Sequence, residues 1–473
     1  MKFNTKTNIS NRTDNLAGGE AYKESPKLAL ISLLLTSFVK DQYYRDADES
    51  LVELTNLIDT ITDKKFVAKS AIYARTKFGM RSVSHATAAE LASRIGGQEW
   101  AKNFFEKIIY RPDDMMEILA YVYAKGGKES NAIRKGFAKA ISKFDEYQLA
   151  KYKKDGAEVS LIDVANLVHP KSTPAIEALI KGTLKSPETW EAKLTKAGQN
   201  AETEEQKEEL KKEAWVSLVK EKKIGYFALL RNLRNIIEQA PDLVSDACAL
   251  LVDEKLIRNS LVLPFRFLTA IEEIEKLNGT GVREVLGALN KAIDLSTSNV
   301  PKFDGDTLIA LDESGSMNGQ PQESGSLFAA ILYKVNNADL IMFDSLARYV
   351  TLNPADSTLT LAQKLKDEHQ GGGTDLGSIF DEANRKYDRI IILSDMQGWV
   401  GYDAPTSELS DYKNRVGANP RIYSFDLQGY GTLQFPEENI FAIAGFSEKI
   451  FDVMKLLEQD KNALIAEIEK VEL

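Results

Sequence analysis

The run Ile309-Ala-Leu-Asp-Glu-Ser-Gly-Ser-Met317 decides how this chain is read. Thr307-Leu-Ile-Ala-Leu311 has the continuous apolar character of a short buried strand, and the chain then changes abruptly to Asp312, Ser314 and Ser316 around Gly315. One carboxylate and two hydroxyls released at the end of a buried strand gather hard oxygen donors around a single point. Such donors suit a small divalent cation, Mg²⁺ above all, which keeps waters in an octahedral shell. Open α/β sheets also bind their ligands in the crevice beyond the carboxyl ends of the strands.

Two later stretches complete the pattern. Gly371-Gly-Gly-Thr-Asp375 sets Thr374 just before a helical pattern at Leu376, Ile379, Phe380 and Ala383. Arg389-Ile-Ile-Ile-Leu-Ser-Asp395 is an apolar run ending in an acid, as in a strand buried on both faces. Alone, Asp-x-Ser-x-Ser reads as an ordinary turn and helix cap; the three stretches together do not. A phosphatase with a nucleophilic Asp would need a second carboxylate two residues on, where this chain has Ser314. Gly371 to Gly373 is not followed by Gly-Lys-Ser/Thr, which excludes a P-loop. The pattern points to metal-dependent binding rather than catalysis.

Asp312, Ser314, Ser316, Thr374 and Asp395 resemble the five positions of the metal-ion-dependent adhesion site (MIDAS) of von Willebrand factor A domains. The resemblance implies a metal touched by the three hydroxyls, two acids acting mainly through bound waters, and an open position for a partner's carboxylate.

The 473 residues suffice for two or three domains with full cores. The longest apolar run, residues 28–39, is too short to span a bilayer. The opening Met1-Lys-Phe-Asn has no secretory pattern, and Cys248 is the single cysteine, so a cytoplasmic protein without membrane association is expected. The net charge of −10 is unevenly placed: residues 1–300 carry 45 basic and 42 acidic side chains, residues 301–473 carry 15 and 28. The bases of the near-neutral first part are thus free to cluster on one face.

Residues 1–25 read as an extended arm. From residue 26 to about 300 nearly everything has helical period, broken by Gly96-Gly97, Pro112, Gly126-Gly127, Pro170, Pro187 and Pro241. Short helices joined by short turns suggest a HEAT-like α-solenoid of irregular pairs. Residues 301–473 alternate strand and helix, with strands at 338–343, 348–352, 389–394, 421–425 and 439–444, a helix over 376–386 and another from about 447 to the end. The fold class expected is α plus α/β, multidomain, with a solenoid followed by a doubly wound α/β domain.

Phe144-Asp-Glu-Tyr-Gln-Leu-Ala-Lys-Tyr-Lys-Lys154, Leu161-Ile-Asp-Val-Ala-Asn-Leu-Val-His-Pro-Lys171, Lys222 to Ile236 and Leu263-Pro-Phe-Arg-Phe-Leu268 resemble, in order, signature segments of the Ro ribonucleoprotein family. That family joins a ring-shaped TROVE module to a von Willebrand factor A domain. The resemblance implies a monomeric ring that binds structured Y-like non-coding RNA outside and single-stranded ends of misfolded RNA in its hole. It also implies partners such as a 3′-exonuclease or an RNA-repair protein, and it carries Y RNA contacts to Lys151, Lys153 and His169. One departure is that Lys154-Asp155 stands where the family has a further base.

The residues agree with RNA binding, which needs cations for phosphates and planar groups for unpaired bases. Lys151-Tyr-Lys-Lys154 interleaves both, His169 and Lys171 follow, and Arg134, Lys135, Arg231 and Arg234 add cations. Each has a plainer reading: a solvated helix end for the lysines, a capping role for His169, and helix bracing for Arg231 and Arg234. His85 reads as structural. The expected function is a non-enzymatic RNA-binding scaffold in RNA quality control or processing. The alternative is a metal-dependent protein-interaction adaptor; a Mg²⁺ hydrolase fits poorly, because no general base accompanies Asp312.

Overall fold

Frequent helix breakers among apolar residues at helical spacing produce many short helices, each needing its own cap. In the computed structural model, which describes residues 12–14, 20–22, 26–36, 47–153, 158–185, 194, 203–279, 281–398, 405–427, 440–444, 454 and 463–473, several of these caps are Ser, Thr or Asp side chains. Ser160 and Asp163 form a reciprocal capping box at the start of helix Leu161–Val168. Thr203 caps Glu204–Lys220 and Asp253 caps Glu254–Ser260. Pro112 opens Pro112–Ala124 with Asp113 and Asp114 in its first turn, where acids favour the helix dipole. Between residues 26 and 300 the described residues contain no strand.

These helices bury two cores. One runs from Leu30 to Leu179 and continues into the α/β part; the other runs from Trp215 to Ile293. Helices Ala101–Lys107 and Asn131–Ile141 touch so closely at Gly136 that a Cβ there would lie 2.6 Å from the Lys102 carbonyl oxygen.

The first strands, β1 (Arg12–Asp14) and β2 (Glu20–Tyr22), pair antiparallel, so the expected extended arm contains a two-stranded ladder. The main sheet has β3 (Thr307–Asp312), β4 (Asp339–Phe343), β5 (Ala347–Tyr349), β6 (Arg389–Ser394), β7 (Arg421–Asp426) and β8 (Ile440–Ala444). Their order is β5-β4-β3-β6-β7-β8, all parallel except β5. From β3 the chain adds β4 and β5 on one side and then returns to add β6, β7 and β8 on the other, so the strand order reverses between β3 and β6, the switch point at which doubly wound sheets bind ligands. The solenoid followed by a doubly wound sheet is therefore the fold.

Two helices differ from expectation. The one over 376–386 is only Ser378–Glu382, because Arg415 donates to the carbonyls of Phe380, Asp381 and Ala383 that a longer helix would use. The last helix is described over Ala463–Glu469; most of the stretch expected to precede it lies outside the described residues.

The α/β part packs against both ends of the solenoid. Asp294, near the end of helix Val282–Ser296, accepts from the Thr358 amide at 2.9 Å, the Thr358 hydroxyl at 2.6 Å and the Lys334 ammonium at 3.0 Å. The last helix reaches the first ones: Glu469 pairs with Lys69 at 3.2 Å and Lys107 donates to the Glu472 carbonyl at 3.1 Å. Leu464, Ile465, Val471 and Leu473 join the first core.

His85 is buried in the Asp114 carboxylate network. Asp114 accepts from His85 Nε2 at 2.9 Å, Arg75 Nη2 at 2.9 Å and the Tyr110 and Arg111 amides at 2.9 and 2.8 Å. Burial pushes the Asp114 pKa up, but the His85 and Arg75 donors outweigh it and hold the acid down at about 2. A carboxylate depressed below its unfolded value of about 3.9 contributes stability that is present above that value and lost as pH falls toward 2. Asp114→Ala strands the buried Arg75 and is expected to cost about 3–5 kcal/mol in urea unfolding followed by circular dichroism. An unchanged midpoint would show that the network contributes nothing net.

Candidate functional site

β3 and β6 lie side by side with Leu311 opposite Leu393, so Asp312 and Asp395 leave neighbouring strands at the switch point. Asp312 is 1% exposed and Asp395 fully buried. Asp312 Oδ1 accepts from the Ser314 amide at 2.8 Å, and Oδ2 accepts from the Ser394 hydroxyl. The Ser314 and Ser316 hydroxyls stand 3.3 Å apart. Thr374 is buried on the facing loop, which the Gly315 amide ties to the Gly372 carbonyl at 3.0 Å. That loop needs its glycines: Gly371 has φ +80°, and a Cβ on Gly372 would meet the Asp344 carboxylate.

Glu313, fully buried between two of the site residues, anchors the loops. Its carboxylate is forked by the Arg348 guanidinium and accepts from the Gln370 amide at 3.2 Å. Its carbonyl accepts from Gly371 at 3.0 Å. Sequence reasoning passed over Glu313 as a spacer; an acid at a position flanked by buried residues was the available signal.

The electrostatics leave a deficit of positive charge. Burial and the neighbouring Asp395 carboxylate push Asp312 up to about 7, against hydrogen bonds from Ser314 and Ser394. Burial also raises Asp395, against the Ser316 hydroxyl and the Gln397 amide. Asp395 Oδ2 is buried and has no hydrogen-bond partner among the described residues. Two buried carboxylates, one with an orphaned oxygen, beside the Ser314 and Ser316 hydroxyls are hard oxygen donors of the kind a divalent cation takes. Among the described residues no group of three or more His, Cys, Asp or Glu side chains gathers to hold a metal ion, at this site or at any other, so a cation here would depend on the hydroxyls beside the two acids. His369 is half-buried near this loop, with Nε2 buried and without a hydrogen-bond partner among the described residues.

The candidate RNA-binding residues are scattered over several elements. Lys151 ends helix Glu146–Lys151, exposed, with its ammonium 5.9 Å from the Tyr147 ring and 5.7 Å from the Tyr152 ring. Lys153 is half-buried; Lys154 lies outside the described residues. Helices Glu146–Lys151, Leu161–Val168 and Pro174–Ile180 pack as neighbours, so Lys151, exposed His169 and exposed Lys171 come from adjoining elements. His169 terminates its helix in the left-handed region at φ 46°, which a residue with a Cβ adopts at a cost. Arg134 pairs with Glu129, and Lys135 is exposed. Arg231 and Arg234 are exposed on helix Tyr226–Gln239, opposite its buried Leu229, Leu230, Leu233, Ile236 and Ile237. Arg234 contacts Glu238 at 3.0 Å and Glu273 at 3.9 Å, the bracing geometry.

One group of residues escaped the sequence reading. Arg111 lies 4.4 Å from the Tyr152 ring and pairs with buried Asp113, to which Arg81 also donates at 2.7 Å. The signal was Arg111-Pro-Asp-Asp114, taken only as a helix break.

The TROVE domain family model matches residues 20–183 and 178–300, more than half of the chain. This chain belongs to the TROVE domain family, and its likeness to the Ro ribonucleoproteins is borne out. It is 23% identical over 469 residues to the RNA-binding protein RO60 of Deinococcus radiodurans, covering 86% of this chain and 87% of that protein. It is 22% identical over 349 residues to telomerase protein component 1 of Mus musculus, covering 54% of this chain but only 13% of the mouse protein's length. The crystal structure of the Deinococcus radiodurans Ro protein superposes with a TM-score of 0.63 at 18% identity, covering 90% of this chain and 99% of that one. No helix among the described residues is long and apolar enough to cross a membrane.

Proposed function

We propose that this protein is an RNA-binding scaffold, not an enzyme, which captures structured Y-like RNA and the single-stranded ends of misfolded RNA on residues 26–300. The observation that carries the reading is the run of cations and tyrosines through Arg81, Arg111, Tyr152 and Lys151, on the part of the chain that the TROVE family model matches. Cations neutralise phosphate and planar rings meet unpaired bases. The naming of a similar protein as RNA-binding supports it.

Residues 301–473 would act as a von Willebrand factor A domain. Ser314, Ser316 and Thr374, with Asp312 and Asp395, would hold Mg²⁺, which would neutralise the two buried acids and offer a position for a carboxylate of a protein partner, such as a 3′-exonuclease or an RNA-repair protein. The orphaned Asp395 oxygen supports a cation there. Sequencing the RNA that co-purifies with the protein tests the main reading. Enrichment of small structured RNAs is expected; wild-type protein without RNA affinity at low salt would leave the metal-dependent adaptor as the better account.

A further inference from the structure

Asp113 is 1% exposed and serves two arginines at once. Arg81 Nη2 donates to Oδ2 at 2.7 Å, while Arg111 donates to Oδ2 at 2.6 Å and to Oδ1 at 3.0 Å. Two guanidiniums on one carboxylate leave a positive charge over. Each side chain is about one-third exposed, at 37% and 31%, so that charge reaches solvent. Arg81 Nε is buried with no hydrogen-bond partner among the described residues, an unspent donor beside the pair. Helix Pro112–Ala124 does not absorb the excess, since Asp113 and Asp114 already occupy its first turn.

An aromatic residue adjoins this pair in the chain. Tyr110 directly precedes Arg111 and is 61% exposed, among the most exposed of the large hydrophobic side chains described. It does not wave freely: the Arg75 guanidinium lies 5.3 Å from its ring, and its amide is tied to Asp114 at 2.9 Å. Exposed aromatic surface held in place costs solvation without adding to a core, which suits a ring that meets a ligand. Through Arg111 and the Tyr152 ring the group is continuous with Lys151.

We propose that Arg81, Arg111 and Tyr110 form a subsite for one unpaired nucleotide of RNA, the two guanidiniums taking its phosphate and the Tyr110 ring stacking on its base. Guanidinium forks match phosphate oxygens bidentately. A ring can stack only on a base that is not already stacked in a duplex, so the subsite selects single strands or flipped-out nucleotides. The inference rests on the RNA-binding reading and deepens it.

Fluorescence anisotropy with a labelled single-stranded oligouridylate and a fully paired hairpin of equal length tests it, across several salt concentrations. Tyr110→Ala is expected to weaken the single strand by roughly five- to hundredfold and to leave hairpin affinity unchanged, whereas Tyr110→Phe behaves as wild type. Arg81→Gln and Arg111→Gln should each flatten the log–log salt slope for the single strand by about 0.7. Because these arginines also satisfy buried Asp113, circular dichroism accompanies each variant, and Tyr110→Ala decides the matter if either fails to fold. The subsite is overturned if Tyr110→Ala binds the single strand like wild type, or loses single strand and hairpin equally. Wild-type protein that binds neither RNA would remove the proposed function as well, whereas wild-type binding that Tyr110→Ala does not change would remove the subsite alone.

Discussion

Asp312→Asn is expected to weaken Mg²⁺ binding by about 10–100-fold while making the metal-free protein more stable at neutral pH. Both effects follow from the pair of buried acids. Asp312 is held at about 7 by burial and Asp395, whereas an unfolded aspartate ionises near 3.9. Between those values the folded state holds the extra proton, so metal-free stability falls as pH rises through the window and the full cost is present above it. Asparagine keeps the shape and removes the charge, so the variant lacks Asp312's part of that decline and keeps the part due to Asp395, which its own burial raises. A bound cation releases the protons and reverses the cost for wild type, adding about 2.7 kcal/mol at a hundredfold excess over its dissociation constant. The loss of affinity is that of a residue that acts on the metal through its bound waters and orients its shell, not that of a direct ligand. The measurement is thermal unfolding of both proteins in EDTA and in millimolar Mg²⁺, from pH 5 to pH 8. Identical midpoints for the two proteins in every condition would sink the metal assignment.

The second large effect is expected at Lys151 and Lys153. If each neutralises one phosphate, the double change to alanine lowers the slope of log affinity against log salt by about 1.8 for duplex RNA. The affinity lost is then greatest at low salt and shrinks toward physiological salt. His169 offers a sharper variant because its backbone is left-handed. Glycine adopts φ 46° without the Cβ penalty, so His169→Gly should leave the fold as stable or slightly more so. Loss of affinity for a structured RNA in a protein that has not lost stability would assign the imidazole to the ligand. A parallel loss of both would return it to a capping role. Anisotropy titrations beside thermal melts separate these outcomes.

The fold was legible because its signals are local. Apolar runs ending in Asp312 and Asp395 announced strands buried on both faces, and breakers such as Gly126-Gly127 and Pro170 announced short helices. Strand ends were misplaced by up to three residues at β5, where pairing with β4 rather than side-chain pattern sets the length. Helix Ser378–Glu382 stops early through Arg415, thirty-odd residues away, a long-range cause no window of sequence contains. Asp312 and Asp395 were readable as neighbours because each follows an apolar run, and the two runs, β3 and β6, lie side by side. The role of Glu313 was not, since its partner Arg348 arrives from an edge strand. Arg81 and Arg111 were missed for the same reason: thirty residues apart in sequence, they meet only on Asp113.

The contact between Lys69 and Glu469 has a kinetic meaning. Its partners are separated by 400 residues, so bringing them together costs chain entropy that nearer contacts do not. At 5–20 residues per second, synthesis leaves roughly 20 to 80 s between the appearance of one partner and the other. During that interval the first helices must persist with part of their apolar surface, later covered by Leu464, Ile465, Val471 and Leu473, open to water. The nascent chain therefore passes through a long-lived, sticky stage. Slow translation or loss of the final helix would lengthen that stage, and aggregation of newly made protein would report it before any loss of RNA affinity did.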